Sequence, residues 1–194
     1  MRLARAREPF DSPKYIFELK HDGFRALAYI ENRCCGLISR NGHHFRGFNP
    51  LCDGIAGQLK VKNAIIDGEV CCLDKDGRSQ FNQLLFRRGV PYFYAFDLLW
   101  LNGRNIRQWP LIRRKEKLKS ILPAPPSPIL YVSHMDGTGI ELFSAACEHD
   151  LEGVVAKRKD APYEASDERS AAWAKIKNPQ YSQIRGRHQL LTKG

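Results

Sequence analysis

At 194 residues the chain has the length for one domain with a sizeable core, or for one domain plus a tail. Lys and Arg number 31 against 21 Asp and Glu, a net charge of +10; that excess points to polyanionic partners such as nucleic acid or nucleotides, or to nothing more than a basic, soluble surface. No apolar run approaches membrane-spanning length, which excludes a helical spanning protein, and the basic Met1–Arg7 leads into Glu8-Pro9-Phe10-Asp11 instead of an apolar signal core, which predicts a cytoplasmic protein.

In chain order, residues 15–20 and 24–31 read as strands split by His21-Asp22-Gly23, a hairpin signal. A strand over 35–40 is closed by the Asn41-Gly42 turn. His43-His44 reads as a solvated loop pair, because neighbouring strand side chains point oppositely and cannot share a metal. Asn49-Pro50 starts a helix over 50–60. Residues 64–73 form a strand interrupted near Asp67-Gly68, followed by a turn over 74–77, and Ser79 is expected to cap a short helix ending near Arg87. The apolar, aromatic run 91–100 reads as a buried strand, and Asn102-Gly103 turns the chain again. A basic helix covers 111–121, and Pro123-Ala124-Pro125-Pro126-Ser127-Pro128 makes a stiff connector between two parts of one domain. A strand over 129–133, a helix over 138–149 and strands over 152–158 and 172–177 complete the pattern, with a loop between the last two and a basic tail from Pro179 to Gly194. The fold class is α+β: antiparallel sheets flanked by helices. Six cysteines, at 34, 35, 52, 71, 72 and 147, contain no C-x-x-C pair, which argues against a zinc knuckle and fits reduced thiols.

The chemistry concentrates in Lys20-His21-Asp22-Gly23-Phe24-Arg25. A lysine attacks only as a neutral amine, and neighbouring cations or a metal favour that form. Lys175 and Lys177 are candidates for the positive field, since a spacing of two puts them on one strand face with Trp173. The same cations attract phosphate, so the pattern points to attack on phosphorus and a phosphoramidate product. Glu69 and Glu152, each beside a glycine at a strand start, are hard carboxylates suited to Mg²⁺; Glu69 is also a candidate acceptor for a ribose hydroxyl. Phe96 is either core packing or a platform for a purine. Arg25, Arg40 and Arg169 carry forked donors suited to ribose or phosphate. Strict alternation puts Glu152 and Lys157 on opposite strand faces, so a twist or bulge is needed to bring both to one site.

Taken together these residues resemble the covalent nucleotidyltransferase superfamily of DNA ligases, RNA ligases and mRNA capping enzymes. Within it the chain is most similar to the adenylation domain of bacterial ATP-dependent DNA ligases of the end-joining type. The resemblance rests on Glu18-Leu19-Lys20-His21-Asp22-Gly23-Phe24-Arg25, Ser39-Arg40-Asn41-Gly42, Asp67-Gly68-Glu69, the run Tyr94 to Gly103, Glu152-Gly153-Val154-Val155-Ala156-Lys157-Arg158, and Arg169-Ser170 ahead of Trp173-Ala174-Lys175-Ile176-Lys177-Asn178. It covers roughly residues 8–190.

The resemblance implies a nucleotidyltransferase (ATP-grasp-like) adenylation domain over 1–178, followed by the basic tail over 179–194 without an OB-fold domain. It implies that Lys20 forms lysyl-AMP, using ATP and Mg²⁺. Glu18 and Leu19 would line the adenine edge, Phe96 would stack on the base, Arg25 and Glu69 would hold the ribose, and Lys157 would complete the nucleotide pocket. Arg40 and Arg169 would contact phosphate or the nicked strand, Glu152 and Glu69 would bind the metal, and Lys175 and Lys177 would hold the α-phosphate. Asp22 would serve the later steps, when AMP passes to a 5′-phosphate and the 3′-hydroxyl attacks. The implied partners are nicked double-stranded DNA and an OB-fold clamp supplied by another domain or chain, with the protein itself a monomer in DNA repair, recombination or replication. The rival readings are an RNA ligase or GTP-using capping enzyme, and a non-catalytic nucleotide- or DNA-binding module.

Overall fold

Small apolar residues alternate through β3 (Phe24–Glu31), and that alternation builds the first core. Ala26, Ala28 and Ile30 turn to one side and are buried, while Arg25, Leu27 and Tyr29 turn to the other. The computed structural model describes residues 2–164 and 169–184; at residues 2, 169, 171 and 184 it describes the backbone alone.

Two sheets result. One has the order β4-β3-β5-β6-β7, from β4 (Cys34–Ser39), β3, β5 (Asn63–Cys72), β6 (Pro91–Leu101) and β7 (Arg104–Asn105), with β8 (Ile129–Tyr131) added parallel to β6. The other has the order β1-β11-β10-β2-β9, from β1 (Arg2–Arg5), β11 (Arg169–Lys177), β10 (Gly153–Arg158), β2 (Tyr15–Leu19) and β9 (His134–Asp136). All pairings are antiparallel except β1 with β11 and β6 with β8.

Helices cover the outer faces. Against the first sheet lie α1 (Asn49–Gln58), α2 (Phe81–Leu85) and α3 (Leu111–Ile121), which share a core with Ala28, Ile66, Phe93 and Leu118. Against the second lies α4 (Gly139–Glu148), whose Ala146 meets Phe17, Val154 and Ala156. Between the sheets a smaller core joins Ile16 and Trp173 to Leu99, Leu111 and Tyr163. This α+β arrangement leaves a cleft where the inner faces diverge. Among the described residues no helix is long and apolar enough to cross a membrane.

The strands and helices fall close to their predicted spans, with informative exceptions. The hairpin expected at His21-Asp22-Gly23 does not form: β2 and β3 belong to different sheets. The segment instead carries the chain from one sheet to the other, and Gly23 passes so close to β5 that a Cβ there would stand 2.0 Å from the Val70 carbonyl oxygen. The interruption near Asp67-Gly68 is a register shift within continuous β5. Ser79 does not cap α2; its hydroxyl accepts from the Asp22 N–H at 3.4 Å. Strands β1, β7 and β9 were not expected. The expected tail over 179–194 begins with packed chain, since Tyr181 is buried and residues 182–184 form a 3₁₀ turn; residues 185–194 lie outside the described residues.

Candidate active site

Lys20 leaves β2 at the junction of the two sheets. Its N–H donates to the Gly153 carbonyl at 2.9 Å, tying the junction to the start of β10. Its ammonium donates to Glu152 Oε2 at 2.6 Å, and Lys177 Nζ stands 3.4 Å from Glu152 Oε1. The Lys20 side chain is 21% exposed and that of Glu152 only 5%, so the lysine opens to the cleft while the carboxylate backs it.

Glu152 and Lys157 both serve the site, and Gly153 is the reason. Its φ of +135° turns the chain at the first residue of β10, in a region that favours glycine. Glu152 is thereby freed from the strand's alternation, while Val155 and Lys157, two apart within β10, face the cleft together.

Two residues before Lys20 on β2, Glu18 is 2% exposed and ion-paired to two lysines. Lys115 reaches it from α3 and also donates to the Val132 carbonyl at 3.0 Å. Lys157 reaches it from β10 at 2.5 Å. Burial opposes the charge of Glu18, but the two ammonium groups prevail and hold its pKa below the ordinary value. The Glu18 side chain is therefore engaged in a buried pair, and only its backbone is left for a ligand edge. The Lys157 ammonium also lies 4.2 Å from the Phe96 ring centre and 4.0 Å from that of Trp173, a cation–π arrangement.

The first sheet supplies the opposite wall. Arg25 on β3 forks onto Asp67 on β5, Nε to Oδ1 at 3.1 Å and Nη2 to Oδ2 at 2.6 Å. Burial works against the guanidinium charge, but Asp67 outweighs it and raises the Arg25 pKa. Tyr163 donates to the same carboxylate at 2.8 Å. So Arg25 is held rigidly over the cleft by Asp67, beside Phe96 and Trp173, at 5.6 and 5.7 Å from their ring centres. Phe96 meets Trp173 edge-on at 6.0 Å. Burial, reinforced by the negative charge of Glu152, pushes the Glu69 carboxyl up to about 7. His21 stacks on Tyr94 at 4.3 Å, and burial pushes its imidazole down to about 4, so it adds no charge near neutral pH.

These walls enclose a cleft of about 200 Å³ lined by Glu18, Leu19, Lys20, Arg25, Arg40, Glu69, Phe96, Lys157 and Lys175. The sequence candidates thus converge, with four exceptions. Glu152 stands behind Lys20 and does not itself line the cleft. Asp22 does not line the cleft; it is 4% exposed and accepts from the Tyr181 hydroxyl at 2.9 Å. Lys177 reaches the site only through Glu152. The Arg169 side chain lies outside the described residues. Sharing Arg25 and Arg40 with the cleft is a larger groove of about 520 Å³, walled by Tyr29, Trp100, Arg107 and Tyr163.

Sequence reasoning missed Lys115, Asp67 as the anchor of Arg25, Tyr163 and Tyr181. Only Lys115 carried a local signal: Leu111, Lys115 and Leu118 recur at i, i+4 and i+7, which places this lysine on the apolar face of α3. Beside it Arg114 is fully buried and forks onto Asp97, with both bonds at 2.8 Å.

Among the described residues no group of three or more His, Cys, Asp or Glu is arranged to hold an ion. Mg²⁺ needs no such cage; it uses one or two carboxylates and takes its other ligands from phosphate and water. Glu69 and Glu152 fit that role, because the negative charge of Glu152 adds to the burial that pushes the Glu69 carboxyl up, and a cation would relieve that cost.

The family profile described as ATP dependent DNA ligase domain matches residues 3–177. The multifunctional non-homologous end joining protein LigD of Mycobacterium bovis is 32% identical over 167 residues, covering 85% of this chain and 22% of that protein. The SPbeta prophage-derived DNA ligase-like protein LigB of Bacillus subtilis is 30% identical over 193 residues, covering 95% of this chain and 68% of that one. A solved structure of mycobacterial DNA ligase D complexed with ATP and MES superposes with a TM-score of 0.75 at 27% identity, covering 91% of this chain and 59% of that chain. The chain thus spans about a fifth of the length of the LigD relatives it matches. Sequence and fold agree that this chain belongs to the ATP-dependent DNA ligase family, as an adenylation domain of it.

Proposed function

We propose that the domain, taken as residues 1–178, transfers AMP from ATP to Lys20 Nζ and then to the 5′-phosphate of nicked DNA for sealing. In the first step the Lys20 amine attacks the α-phosphorus of ATP. The N–P bond forms, the bond to the β-phosphate oxygen breaks, and pyrophosphate leaves. Glu152 Oε2, at 2.6 Å, is placed to take the proton from the ammonium. Lys175 faces the same cleft and offsets charge on the α-phosphate. Phe96 and Val155 flank the base from opposite walls, and Lys157 lies at its edge. Arg25, fixed by Asp67, and Glu69 address the ribose. Glu152 and Glu69 would hold Mg²⁺, which would neutralise phosphate charge.

In the later steps Lys20-AMP passes its adenylate to the 5′-phosphate, and the 3′-hydroxyl then displaces AMP. The groove walled by Tyr29, Trp100 and Arg107 continues from the cleft through Arg25 and Arg40 and suits a DNA strand, by phosphate contacts that weaken with salt. Arg40 and Arg169 belong to that contact in this reading, as does a DNA clamp of the OB type from elsewhere. The domain works as a monomer in the cytoplasm.

The observation that carries the proposal is the Lys20 amine opening into the same cleft as Phe96 and Lys175, backed by Glu152. Incubation with α-labelled ATP and Mg²⁺ should label the protein. Lys20→Ala should lose the label and Lys60→Ala, at an exposed position, should keep it. Equal labelling of the two variants contradicts the proposal, and preference for GTP or nicked RNA moves it to the capping or RNA-ligase branch.

A further inference from the structure

Strand β1 is the edge of the second sheet and runs parallel to β11. Arg5 stands opposite Lys175, and Ala6, just beyond β1, donates its N–H to the Lys175 carbonyl at 3.1 Å. Directly opposed residues share a face of a sheet. Val155 is opposite both Glu18 and Lys175, so Glu18, Val155, Lys175 and Arg5 form one row from β2 to β1. The neighbouring row holds Ile16, Lys157 and Trp173. Leu3, two residues before Arg5, lies on the same face and extends that second row onto β1.

The pairing slips at this point: Leu3 stands opposite Ser170 and Ala4 opposite Ala174. The extra residues of β11 bulge away from β1 just before Ala174, at Trp173. A bulge beside a site re-aims the side chains around it. Leu3 is half-buried, packs against the core that contains Trp173, and lines the nucleotide cleft with Phe96, Val155 and Trp173. Four adjacent strands of one sheet therefore build this wall, with β1 the outermost. An aliphatic side chain gains nothing against a triphosphate, which must keep its water or meet donors. The purine is the part of ATP that gains from apolar contact.

We propose that Leu3 is a base-contacting residue of the nucleotide site, and that β1 closes the base end of the cleft and limits the size of base admitted there. This rests on the function proposed above and adds a specificity determinant to it. The contact is made by a strand that carries none of the chemical groups of the reaction, so its loss should act on nucleotide binding and leave the attack by Lys20 nearly as fast at saturation.

The test pairs variants with enlarged substrates. Leu3→Ala opens the space beside the base, and Leu3→Phe fills it further while staying apolar. Lys20 labelling is measured against ATP concentration, and nucleotide binding is titrated directly. Leu3→Ala should raise the KM for ATP by about tenfold, the scale of methylenes lost from an apolar pocket, and change the maximal rate by at most about twofold. Among ATP analogues alkylated at C2, N6 or C8 of the base, at least one should be used about tenfold better, relative to ATP, by Leu3→Ala than by the wild type, and worse by Leu3→Phe. If Leu3→Ala fails to fold, Leu3→Val should show the same direction at smaller size. An unchanged KM overturns the inference. So does a fall in rate and Tm that leaves the ranking of analogues as in the wild type, which marks a merely structural role. A wild-type protein that binds ATP but takes no label removes the proposed function; the inference then falls unless Leu3→Ala weakens ATP binding by the same factor. A wild-type protein that binds no ATP removes both.

Discussion

Glu18 and Glu152 each face two lysines, yet they do different work. Glu18 meets Lys115 and Lys157, whose side chains are 0 and 2% exposed. Glu152 meets Lys20 and Lys177, whose side chains are 21 and 39% exposed. The first group is almost closed to water, with side chains 0 to 3% exposed at the edge of the cleft. Its charges cost several kcal/mol each to bury and cannot separate without leaving an unpaired ion. The second group is open, so its members can exchange partners for phosphate, metal and water at little cost. The same residue types thus make a strut in one place and a reactive pair in the other, and solvent access decides which. One strand, β2, leads from the strut to the reactive lysine, so a rigid Glu18 also fixes where Lys20 emerges.

Replacing each glutamate separates these roles most sharply. Glu152→Gln should cut Lys20 labelling by on the order of 100-fold or more, as loss of a charged group at a reacting centre does, with little change in Tm, because Lys20 and Lys177 can be solvated. Glu18→Gln should do the reverse to the fold, lowering stability by about 3–5 kcal/mol by leaving two buried ammonium groups short of charge. Denaturant titration and labelling assays on both variants check the pair. A stable Glu18→Gln protein with unchanged labelling breaks the comparison.

Smaller effects sharpen it. Phe96→Ala should raise the KM for ATP about tenfold, the scale of one base-stacking contact, and change the maximal labelling rate less. The pH dependence should follow Glu69. Its pKa is raised from 4.5 to about 7, so below about pH 7 the folded protein holds a proton there that a cation must displace. Labelling at limiting Mg²⁺ should therefore fall as pH drops through 7 and be restored by excess Mg²⁺. Glu69→Gln should flatten that dependence, and an unchanged profile in the variant removes Glu69 from the metal site.

Much of this was legible in the chain because the site is built from strand ends whose residues are fixed by backbone pairing. Glu18 faces Val155, and Arg25 faces Glu69, across the strands that carry them. Residues spaced by two share a face, as Trp173 and Lys175 do in lining the cleft; Lys157 came from the resemblance, since alternation alone sets it opposite Glu152. The exceptions have physical causes. His21-Asp22-Gly23 has the turn chemistry of a hairpin, but β2 finds better partners in β10 and β9, and β3 in β4 and β5. Arg114 sits in a helix whose charge reads as solvated, and only the buried carboxylate of Asp97, on another element, draws it inside. Tyr181 lies in a stretch without periodicity, and its partner is 159 residues away. No local rule foresees such a contact.

The central claim is that the amine of Lys20, and no other, captures adenylate from ATP. Mass analysis of the intact protein after incubation with ATP and Mg²⁺, followed by peptide mapping of any adduct, tests it most directly. The account predicts one adenylate per chain, attached at Lys20 and removed by pyrophosphate. An unmodified protein, or an adduct that maps to a different lysine, contradicts it.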